Sequence, residues 1–328
     1  MFPLKLPKRI SFTASVDWFY RHYFANAGLR SVLTNLGDGT TIHCWVPKSP
    51  KSYKPTLLLL HGFGANAMGQ YGEHLRHFTT RFNVYVPDLL FFGHSCTSRL
   101  ERTVSFQAQS IIRLMKSHGV GKMSVVGISY GGFVAYNVAV QCPEMVERVA
   151  LCCAGVCLEE KDMEEGLFRV SDLDEAASIL LPQTPEKLKE LMRYSFFKPA
   201  NGLPSFFLAD FIHVMCTDYV EEKRDLIRAI LTERKLSNLP KISQPTLVIW
   251  GQEDQIFPVE LGYRLKSHVG KGAELVVIKN AGHAVNLEKP KEFAKHLKSF
   301  LCDSHSTPPS PPTWKDHFHF TSTKCINS

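Results

Sequence analysis

The sequence predicts a doubly wound α/β fold, in which a mostly parallel sheet with helices on both faces carries an inserted helical cap. Short, unbroken apolar runs alternate with amphipathic segments, as buried parallel strands alternate with their crossover helices. The alternation breaks once, over residues 158–240, where no strand-like run occurs. The 328 residues, of which 44% are hydrophobic, are sufficient for one large core with an insertion.

The elements of the core follow one another along the chain. Residues 30–47 predict a hairpin with its turn at Gly37-Asp38-Gly39. Six apolar runs then predict buried strands: TLLLLHG, NVYVPD, MSVVGIS, RVALCCAG, TLVIWG and ELVVIKNAGH. Helical periodicity predicts helices over residues 68–80, 104–118, 131–142, 259–268 and 290–301. The core is therefore expected to comprise residues 30–157 and 241–302.

Residues 158–240 predict a helical cap between two strands of the sheet, since two ordinary crossover connections would not need this length. Helical patterns cover residues 173–181, 185–198, 205–216 and 219–234. Thr184-Pro185 is typical of a helix start, because proline is favoured at the first helical position. Large apolar side chains are expected to cover an apolar substrate: Phe196, Phe197, Phe206, Phe207, Phe211, Ile212 and Met215.

The two ends of the chain flank this core. Residues 1–29 are basic and rich in aromatic residues, and they predict a helix that ends near Gly28. This helix either packs on the main domain, the favoured interpretation, or makes a peripheral membrane contact. The membrane contact would use Trp18, Phe19, Tyr23 and Phe24. Residues 303–328 contain four prolines in seven residues and predict a disordered tail.

Composition argues against several classes of function. The formal charge of +7 is spread along the chain without a basic block, so no nucleic-acid partner is expected. No apolar stretch is long enough for a transmembrane helix. The nine cysteines have no CxxC or metal-ligand spacing, so no metal is expected. No other cofactor is expected either. The cysteines predict buried thiols in a reducing compartment such as the cytoplasm. The oligomeric state is not predicted.

A candidate nucleophile lies in VVGISYGGF, where Gly127-Ile128-Ser129-Tyr130-Gly131 joins a strand to a helix. In so tight a turn, side chains two positions before and after the serine would collide with neighbouring backbone. Glycines at positions 127 and 131 remove that collision. The serine is then expected at the carboxyl end of the sheet, beside a helix start that favours negative charge.

A serine hydroxyl needs a base, and the histidines differ in their context. His283 follows the last apolar run and precedes the final helix, so a loop would return it to the carboxyl edge of the sheet. Histidines within or at the ends of helical patterns are expected to be solvated: His74, His77, His118, His268 and His296. His61 and His94 lie beside glycines after strand ends, and shaping of the backbone is their expected role.

The base needs a carboxylate that holds its tautomer and stabilises its charged form. Asp254, in TLVIWGQEDQIFP, follows a strand end, whereas the loop after RVALCCAG offers no acid before Glu159. Glu253 is the rival, and it is expected to be a surface residue.

Acyl transfer also needs donors for an oxyanion. The predicted donors are the backbone N–H groups of Tyr130 and of Phe63, in LLLLHGFGAN.

These pieces together resemble the α/β-hydrolase superfamily, in its lid-bearing serine esterase and lipase branch. The resemblance covers residues 30–302 and rests on HGFG, PDLLFFGHS, GISYGG, WGQEDQIFP and NAGHAVNLEKP in the expected order. The finer resemblance is to plant-type monoacylglycerol-lipase-like proteins, and meta-cleavage-product hydrolases are also similar. One departure is Ile128, where many relatives carry histidine before the nucleophile.

The resemblance implies roles for the candidate residues. Ser129 would attack an acyl carbonyl, His283 would carry its proton and Asp254 would orient His283. Phe63 and Tyr130 would donate backbone N–H groups. Epoxide hydrolases and haloalkane dehalogenases share the fold but use an aspartate at the position of Ser129, so their chemistry is not expected.

The leading hypothesis is a serine hydrolase that cleaves a small carboxylic ester with an apolar acyl group, through an acyl-enzyme on Ser129. Three alternatives stay open on the same fold. A carbon–carbon bond hydrolase or an acyltransferase would use the same residues on other substrates. A small-molecule receptor would retain the three residues without turnover.

Overall fold

The computed structural model describes residues 11–64, 66–170, 172–200, 202–231 and 234–302. The predicted disordered tail, residues 303–328, and the first ten residues of the N-terminal segment lie outside these ranges. The described residues form a mixed sheet with flanking helices, which confirms the predicted fold class.

The strands of the described chain form a single sheet. They are β1 (Leu29–Asn35), β2 (Thr40–Pro47), β3 (Thr56–Leu60), β4 (Asn83–Pro87), β5 (Cys96–Thr97), β6 (Met123–Ile128), β7 (Val146–Cys152), β8 (Thr246–Gly251) and β9 (Ala273–Ile278). Their order is β1-β2-β4-β3-β6-β7-β8-β9, and β5 pairs with β2. The strands from β4 to β9 along this order are parallel, and the hairpin β1–β2 is antiparallel at one edge.

Helices connect and flank these strands. They are α1 (Phe12–Asn26), α2 (Ala67–Tyr71), α3 (Leu75–Thr79), α4 (Val104–Ser117), α5 (Tyr130–Gln141), α6 (Lys161–Glu164), α7 (Leu173–Leu180), α8 (Pro185–Ser195), α9 (Ser205–Met215), α10 (Val220–Leu231), α11 (Glu260–Val269), α12 (Val285–Glu288) and α13 (Pro290–Cys302). Every residue of β4, β6 and β8 is buried, because these strands lie inside the sheet and are covered by helices. This explains their unbroken apolar sequences.

Two helices differ from the sequence prediction because of contacts from distant parts of the chain. The helix predicted over residues 68–80 is two short helices, α2 and α3. The break follows Gly72, on which Tyr20 of α1 packs so closely that a Cβ atom there would lie 2.2 Å from the ring. Helix α8 ends at Ser195 and not at residue 198, because Phe196 has extended backbone angles (φ −119°, ψ 139°).

The stretch between β7 and β8, here called the helical insertion (residues 158–240), holds α6 to α10 and no strand among its described residues. It lies against loops that follow the carboxyl ends of the parallel strands. A Cβ atom placed on Gly64, in the loop after β3, would lie 3.9 Å from Leu191 Cδ2. After β9, the Ala284 N–H donates to the Ser195 carbonyl at 2.8 Å. The insertion therefore covers the carboxyl edge of the sheet.

The N-terminal helix α1 packs on the core through one face only. Phe24 is fully buried, with its ring 5.2 Å from that of Trp45, so it is not available for the predicted membrane contact. The Thr13 N–H donates to the Asp210 carboxylate of α9 at 2.8 Å. Trp18 is largely exposed. No helix in the described ranges is both long and apolar enough to span a bilayer.

An ion pair fastens the start of the helical insertion to α11. Arg264 donates to both carboxylate oxygens of Asp162, at 2.6 and 2.9 Å, and to the Cys157 carbonyl at 3.1 Å. The Glu159 N–H donates to the same carboxylate at 2.7 Å. Asp162 is buried, so these partners offset the cost of removing its carboxylate from water.

We expect Arg264→Met to lower the free energy of unfolding by about 2–3 kcal/mol, because it leaves a buried carboxylate without its ionic partner. Arg224→Met is the matched control, since Arg224 pairs with the exposed Glu221 at 2.7 Å and such pairs contribute less than about 1 kcal/mol. Urea unfolding followed by circular dichroism measures both. Equal destabilisation by the two variants would contradict the structural role of the Arg264 pair.

Candidate active site

Ser129 lies on a strained turn between β6 and α5. Its backbone angles (φ 54°, ψ −120°) lie in a region that non-glycine residues rarely adopt, at a cost on the order of 1–3 kcal/mol. The Ser129 N–H donates to the Cys152 carbonyl of β7 at 2.8 Å, which ties the turn to the next strand of the sheet. The turn is thus held by the sheet and not by its own preference.

The glycines of the turn leave no room for side chains. A Cβ atom on Gly127 would lie 2.2 Å from the Gly131 carbonyl oxygen. One on Gly131 would lie 2.2 Å from the Leu60 carbonyl oxygen at the end of β3. Both distances are shorter than any Cβ contact that a folded protein tolerates, so both positions require glycine.

Three of the predicted residues come together in one hydrogen-bonded chain. His283 Nε2 lies 2.9 Å from Ser129 Oγ, and His283 Nδ1 lies 2.8 Å from Asp254 Oδ2. Because the carboxylate accepts a hydrogen bond from Nδ1–H, Nε2 is the ring nitrogen that can accept the serine proton. Glu253, the rival acid, is exposed.

Asp254 is held by the loop after β8. Its Oδ1 accepts the backbone N–H groups of Ile256 and Phe257, each at 2.9 Å. Its side chain is fully shielded from solvent. The carboxylate therefore has one oxygen fixed by backbone and the other directed to His283. Such a fixed acceptor can orient the imidazole without reorganising.

The loop that carries Phe63 passes directly over the serine. A Cβ on Gly62 would lie 2.9 Å from Ser129 Cβ. The rings of Phe63 and Tyr130 meet edge to face, with centroids 4.8 Å apart. The loop and the start of α5 therefore flank the serine from two sides. Donation from the Phe63 and Tyr130 N–H groups to an oxyanion stays a prediction.

His61 shapes this loop from within the core. The Leu89 N–H donates to His61 Nε2 at 3.0 Å, so the ring proton is on Nδ1, which donates to the Gly62 carbonyl at 2.9 Å. Burial lowers the pKa of His61, which keeps the ring neutral. Its geometry matches the backbone role expected from the sequence.

His74 differs from expectation, because it is buried and not solvated. Its Nε2–H donates to the Asn286 carbonyl at 3.0 Å, and its ring lies 5.1 Å from that of Phe293. Burial lowers its pKa to about 4. The helical pattern did not reveal this, because α13 packs over His74 from the other end of the sequence.

An apolar cavity lies between the helical insertion and the loop after β8. It is lined by Leu158, Met163, Phe168, Arg169, Val170, Ala176, Ile179, Leu180, Tyr194, Ile227, Ile230, Gln255, Ile256 and Phe257. The Phe257 ring lies 5.7 Å from the His283 ring, so the cavity adjoins the hydrogen-bonded chain.

The large apolar residues singled out in the sequence do not line this cavity. Ile212 packs with Leu188 and Leu208 inside the insertion itself. Phe206 is 66% exposed. The hydrophobic pattern identified apolar residues but not the face of each helix that turns toward the core.

Cys153 adds a buried thiol to the group. Ligand atoms of Cys153, Asp254 and His283 lie within 4.8 Å of one another, a grouping that metal ions can occupy. Burial, together with the Asp254 charge, raises the pKa of the Cys153 thiol far above its ordinary value. A protonated thiol is a poor metal ligand, so the thiol fits a packing role beside Asp254 better than a metal site.

Other residues form a second Ser–His–Asp chain. His43 Nε2 lies 2.8 Å from Ser31 Oγ, and His43 Nδ1 lies 2.7 Å from Asp88 Oδ2. Burial alone would raise the pKa of Asp88, but the hydrogen bond and charge of His43 lower it on balance. Ser31 belongs to the regular strand β1 and pairs with Trp45 of β2. It has neither a strained turn nor a helix start beside it.

Glu288 was not identified from the sequence, where it precedes Lys289-Pro290 and has the character of a surface acid. In the structure its carboxylate accepts the Gly282 N–H at 2.6 Å, directly beside His283. The contact between the Glu288 carboxylate and the Gly282 N–H depends on the folded shape of residues 282–288.

The chain is similar to known proteins over most of its length. A family model described as the alpha/beta hydrolase family matches residues 57–296. Monoacylglycerol lipase ABHD6 of Homo sapiens is 27% identical over 281 residues, which cover 80% of each chain. Monoacylglycerol lipase abhd6-A of Xenopus laevis is 26% identical over 306 residues, covering 90% of this chain and 88% of that protein.

Solved structures share the fold over most of their length. A membrane phospholipase A superposes with a TM-score of 0.69 at 27% identity, covering 88% of this chain and 89% of that one. A 2-hydroxy-6-oxo-6-phenylhexa-2,4-dienoate hydrolase from Rhodococcus sp. strain RHA1 has a TM-score of 0.70 at 23% identity, covering 83% and 98%. The family match includes Ser129, Asp254 and His283 and spans more than half of the sequence. The chain belongs to the alpha/beta hydrolase family.

Proposed function

We propose that the protein is a serine hydrolase that cleaves carboxylic esters with an apolar acyl group. The observation that carries the proposal is the unbroken hydrogen-bonded chain from Ser129 through His283 to Asp254, with the serine on a strained turn. Such a chain supplies what a serine hydroxyl lacks near neutral pH, a base that is held in the correct tautomer.

In the first half of the reaction, Ser129 Oγ bonds to the ester carbonyl carbon while its proton passes to His283 Nε2. The carbonyl oxygen becomes an oxyanion, which the Phe63 and Tyr130 N–H groups would stabilise. Asp254 stabilises the imidazolium through Nδ1. When the tetrahedral intermediate collapses, the carbon–oxygen bond to the alcohol breaks and His283 donates its proton to that alcohol. An acyl-enzyme and a free alcohol result.

In the second half, water replaces the alcohol. His283 takes a proton from the water while the water oxygen bonds to the acyl carbon. The bond to Ser129 then breaks, and the serine oxygen regains its proton from His283. A carboxylic acid leaves and the enzyme returns to its starting state.

The proposed substrate class rests on two observations. The cavity beside His283 is lined almost entirely by apolar side chains, which suits an acyl chain better than a polar group. The relatives named above are monoacylglycerol lipases, at 26–27% identity. We therefore propose an ester of a monoacylglycerol type, with its acyl chain in this cavity.

We expect Ser129→Ala to lower kcat for ester hydrolysis by a factor on the order of 10⁴ or more, because the nucleophile is lost while the histidine and aspartate remain. Ser31→Ala is the matched control, since it removes the serine of the other Ser–His–Asp chain. It should leave kcat unchanged. Hydrolysis of p-nitrophenyl esters measures both, and unchanged turnover in Ser129→Ala would contradict the proposal.

Reaction with a fluorophosphonate probe distinguishes the proposed hydrolase from a receptor that retains Ser129, His283 and Asp254 without turnover. In the proposed enzyme, a bond forms between Ser129 Oγ and phosphorus, fluoride leaves, and the hydroxyl proton passes to His283. Mass spectrometry of the labelled peptide should place the adduct on Ser129. An unlabelled wild-type protein that still binds a small ligand would favour the receptor.

We expect Ala176→Leu to lower kcat/KM for long-chain esters about tenfold or more and to leave short-chain esters unaffected, because the added methyl groups enter the cavity. Ser178→Leu is the control, since it adds the same side chain on the exposed side of α7. A series of p-nitrophenyl esters of increasing acyl length measures the effect. An equal loss for short and long chains would contradict this location for the acyl chain.

We also propose that α1 and α9 together rest on a lipid surface, where such esters reside. Phe12 of α1 meets Phe207 of α9 edge to face, with centroids 5.3 Å apart. Phe12, Trp18, Phe19 and Phe206 each expose more than half of their area. The ten residues before α1 include three basic residues and no acidic one, which suits an anionic bilayer.

We expect the double variant Trp18→Glu/Phe206→Glu to reduce co-sedimentation with anionic phospholipid vesicles by at least about fivefold, since carboxylates do not enter the interface. Tyr53→Glu is the control, because Tyr53 is 78% exposed on the loop between β2 and β3. Equal vesicle binding by the double variant and the wild type would contradict the proposed surface.

A further inference from the structure

The carboxylate of Glu288 joins two parts of the molecule that are far apart in sequence. Its Oε2 accepts the N–H groups of Gly282 at 2.6 Å and Phe197 at 3.1 Å. Its Oε1 accepts the N–H of Lys198 at 3.2 Å. One half-buried charge thus satisfies three backbone donors, two of which belong to the helical insertion.

The residue after His283 is also held by the insertion. The Ala284 N–H donates to the Ser195 carbonyl at 2.8 Å. Gly282 packs so closely that a Cβ atom there would lie 2.7 Å from the same carbonyl oxygen and 3.0 Å from the Phe197 nitrogen. Both neighbours of His283 therefore rest on residues 195–198.

This support matters because His283 does not lie within a strand or helix. Strand β9 ends at Ile278 and α12 begins at Val285, so residues 279–284 form a connection whose shape depends on its contacts. The same contacts accompany the end of α8 at Ser195. The N–H groups that would continue the helix donate to Glu288 instead.

We propose that Glu288 is a positioning residue that couples the helical insertion to His283. Its carboxylate fastens the turn before the histidine to residues 197 and 198, so that His283 Nε2 stands opposite Ser129 Oγ only while the insertion is seated on the core. Movement of the insertion, which also forms the wall of the apolar cavity, would then change the geometry of the base. This inference rests on the proposed serine hydrolase function.

The first test compares Glu288→Gln with the wild type. The amide keeps the size of the side chain but replaces one acceptor oxygen with a donor and removes the charge. We expect kcat for a short ester such as p-nitrophenyl acetate, and the rate of fluorophosphonate labelling at saturation, to fall 10- to 100-fold with little change in KM. Glu292→Gln, at an exposed acid on α13, is the matched control and should match the wild type.

The second test approaches the contact from the insertion. Lys198→Pro removes one N–H that Glu288 accepts, whereas Lys198→Ala keeps it. Lys198 already precedes Pro199, which favours an extended backbone that proline can adopt. We expect Lys198→Pro to slow labelling about threefold or more in the wild-type background, and to have no further effect in Glu288→Gln, because both changes break one contact. Lys198→Ala should label at the wild-type rate.

Rates are expressed per folded molecule, with the folded fraction taken from circular dichroism at the assay temperature. The proposal is overturned if Glu288→Gln labels as fast as the wild type, or if it changes only KM for long-chain esters. It is also overturned if Lys198→Pro slows labelling equally in both backgrounds. Wild-type protein that fails to label at Ser129 would contradict the serine hydrolase function itself, which is a different result.

Discussion

The backbone of Ser129 is the constraint on which the rest of the site depends. A serine at φ 54° persists only where its surroundings hold it, and here the neighbouring strands do so. The Cys152 carbonyl accepts the Ser129 N–H, and the end of β3 comes so close to Gly131 that only glycine fits. The three central strands β3, β6 and β7 thus shape one turn. This turn fixes the position of Ser129, to which His283 and Phe63 must be adjacent.

The second Ser–His–Asp chain has the same residue types and similar distances but lacks this constraint. Ser31, His43 and Asp88 repeat the three side chains with separations of 2.7 and 2.8 Å. Yet Ser31 lies in a regular edge strand, and Asp88 also accepts the Ala67 N–H at 2.9 Å, which joins β4 to the start of α2. His43 and Asp88 are buried, and that chain has the character of a polar tie between elements. What separates the two is the strained turn and the helix that starts at Tyr130.

The site is divided between the sheet and the helical insertion. Strands β6 and β8 place Ser129 and Asp254 through backbone contacts within the core. The insertion provides most of the cavity wall and contacts the turn that carries His283. In the proposed mechanism, the core would hold the nucleophile and the acid, whereas the covering helices would support the base. The same helices would therefore influence both access to the site and its geometry.

Local patterns in the sequence determined the class of fold, most strand positions and the three residues of the hydrogen-bonded chain. This succeeded because buried strands, helix periodicity and a glycine-flanked turn depend on neighbours in the chain. Tertiary structure alone decided features that arise from distant contacts. Tyr20 packs on Gly72 at the break between α2 and α3, and α13 buries His74. Glu288 has the character of a surface acid in the sequence, yet folding brings residues 197 and 198 to its carboxylate. Such contacts leave no local pattern in a single sequence, because the residues that make them are brought together only when the chain folds.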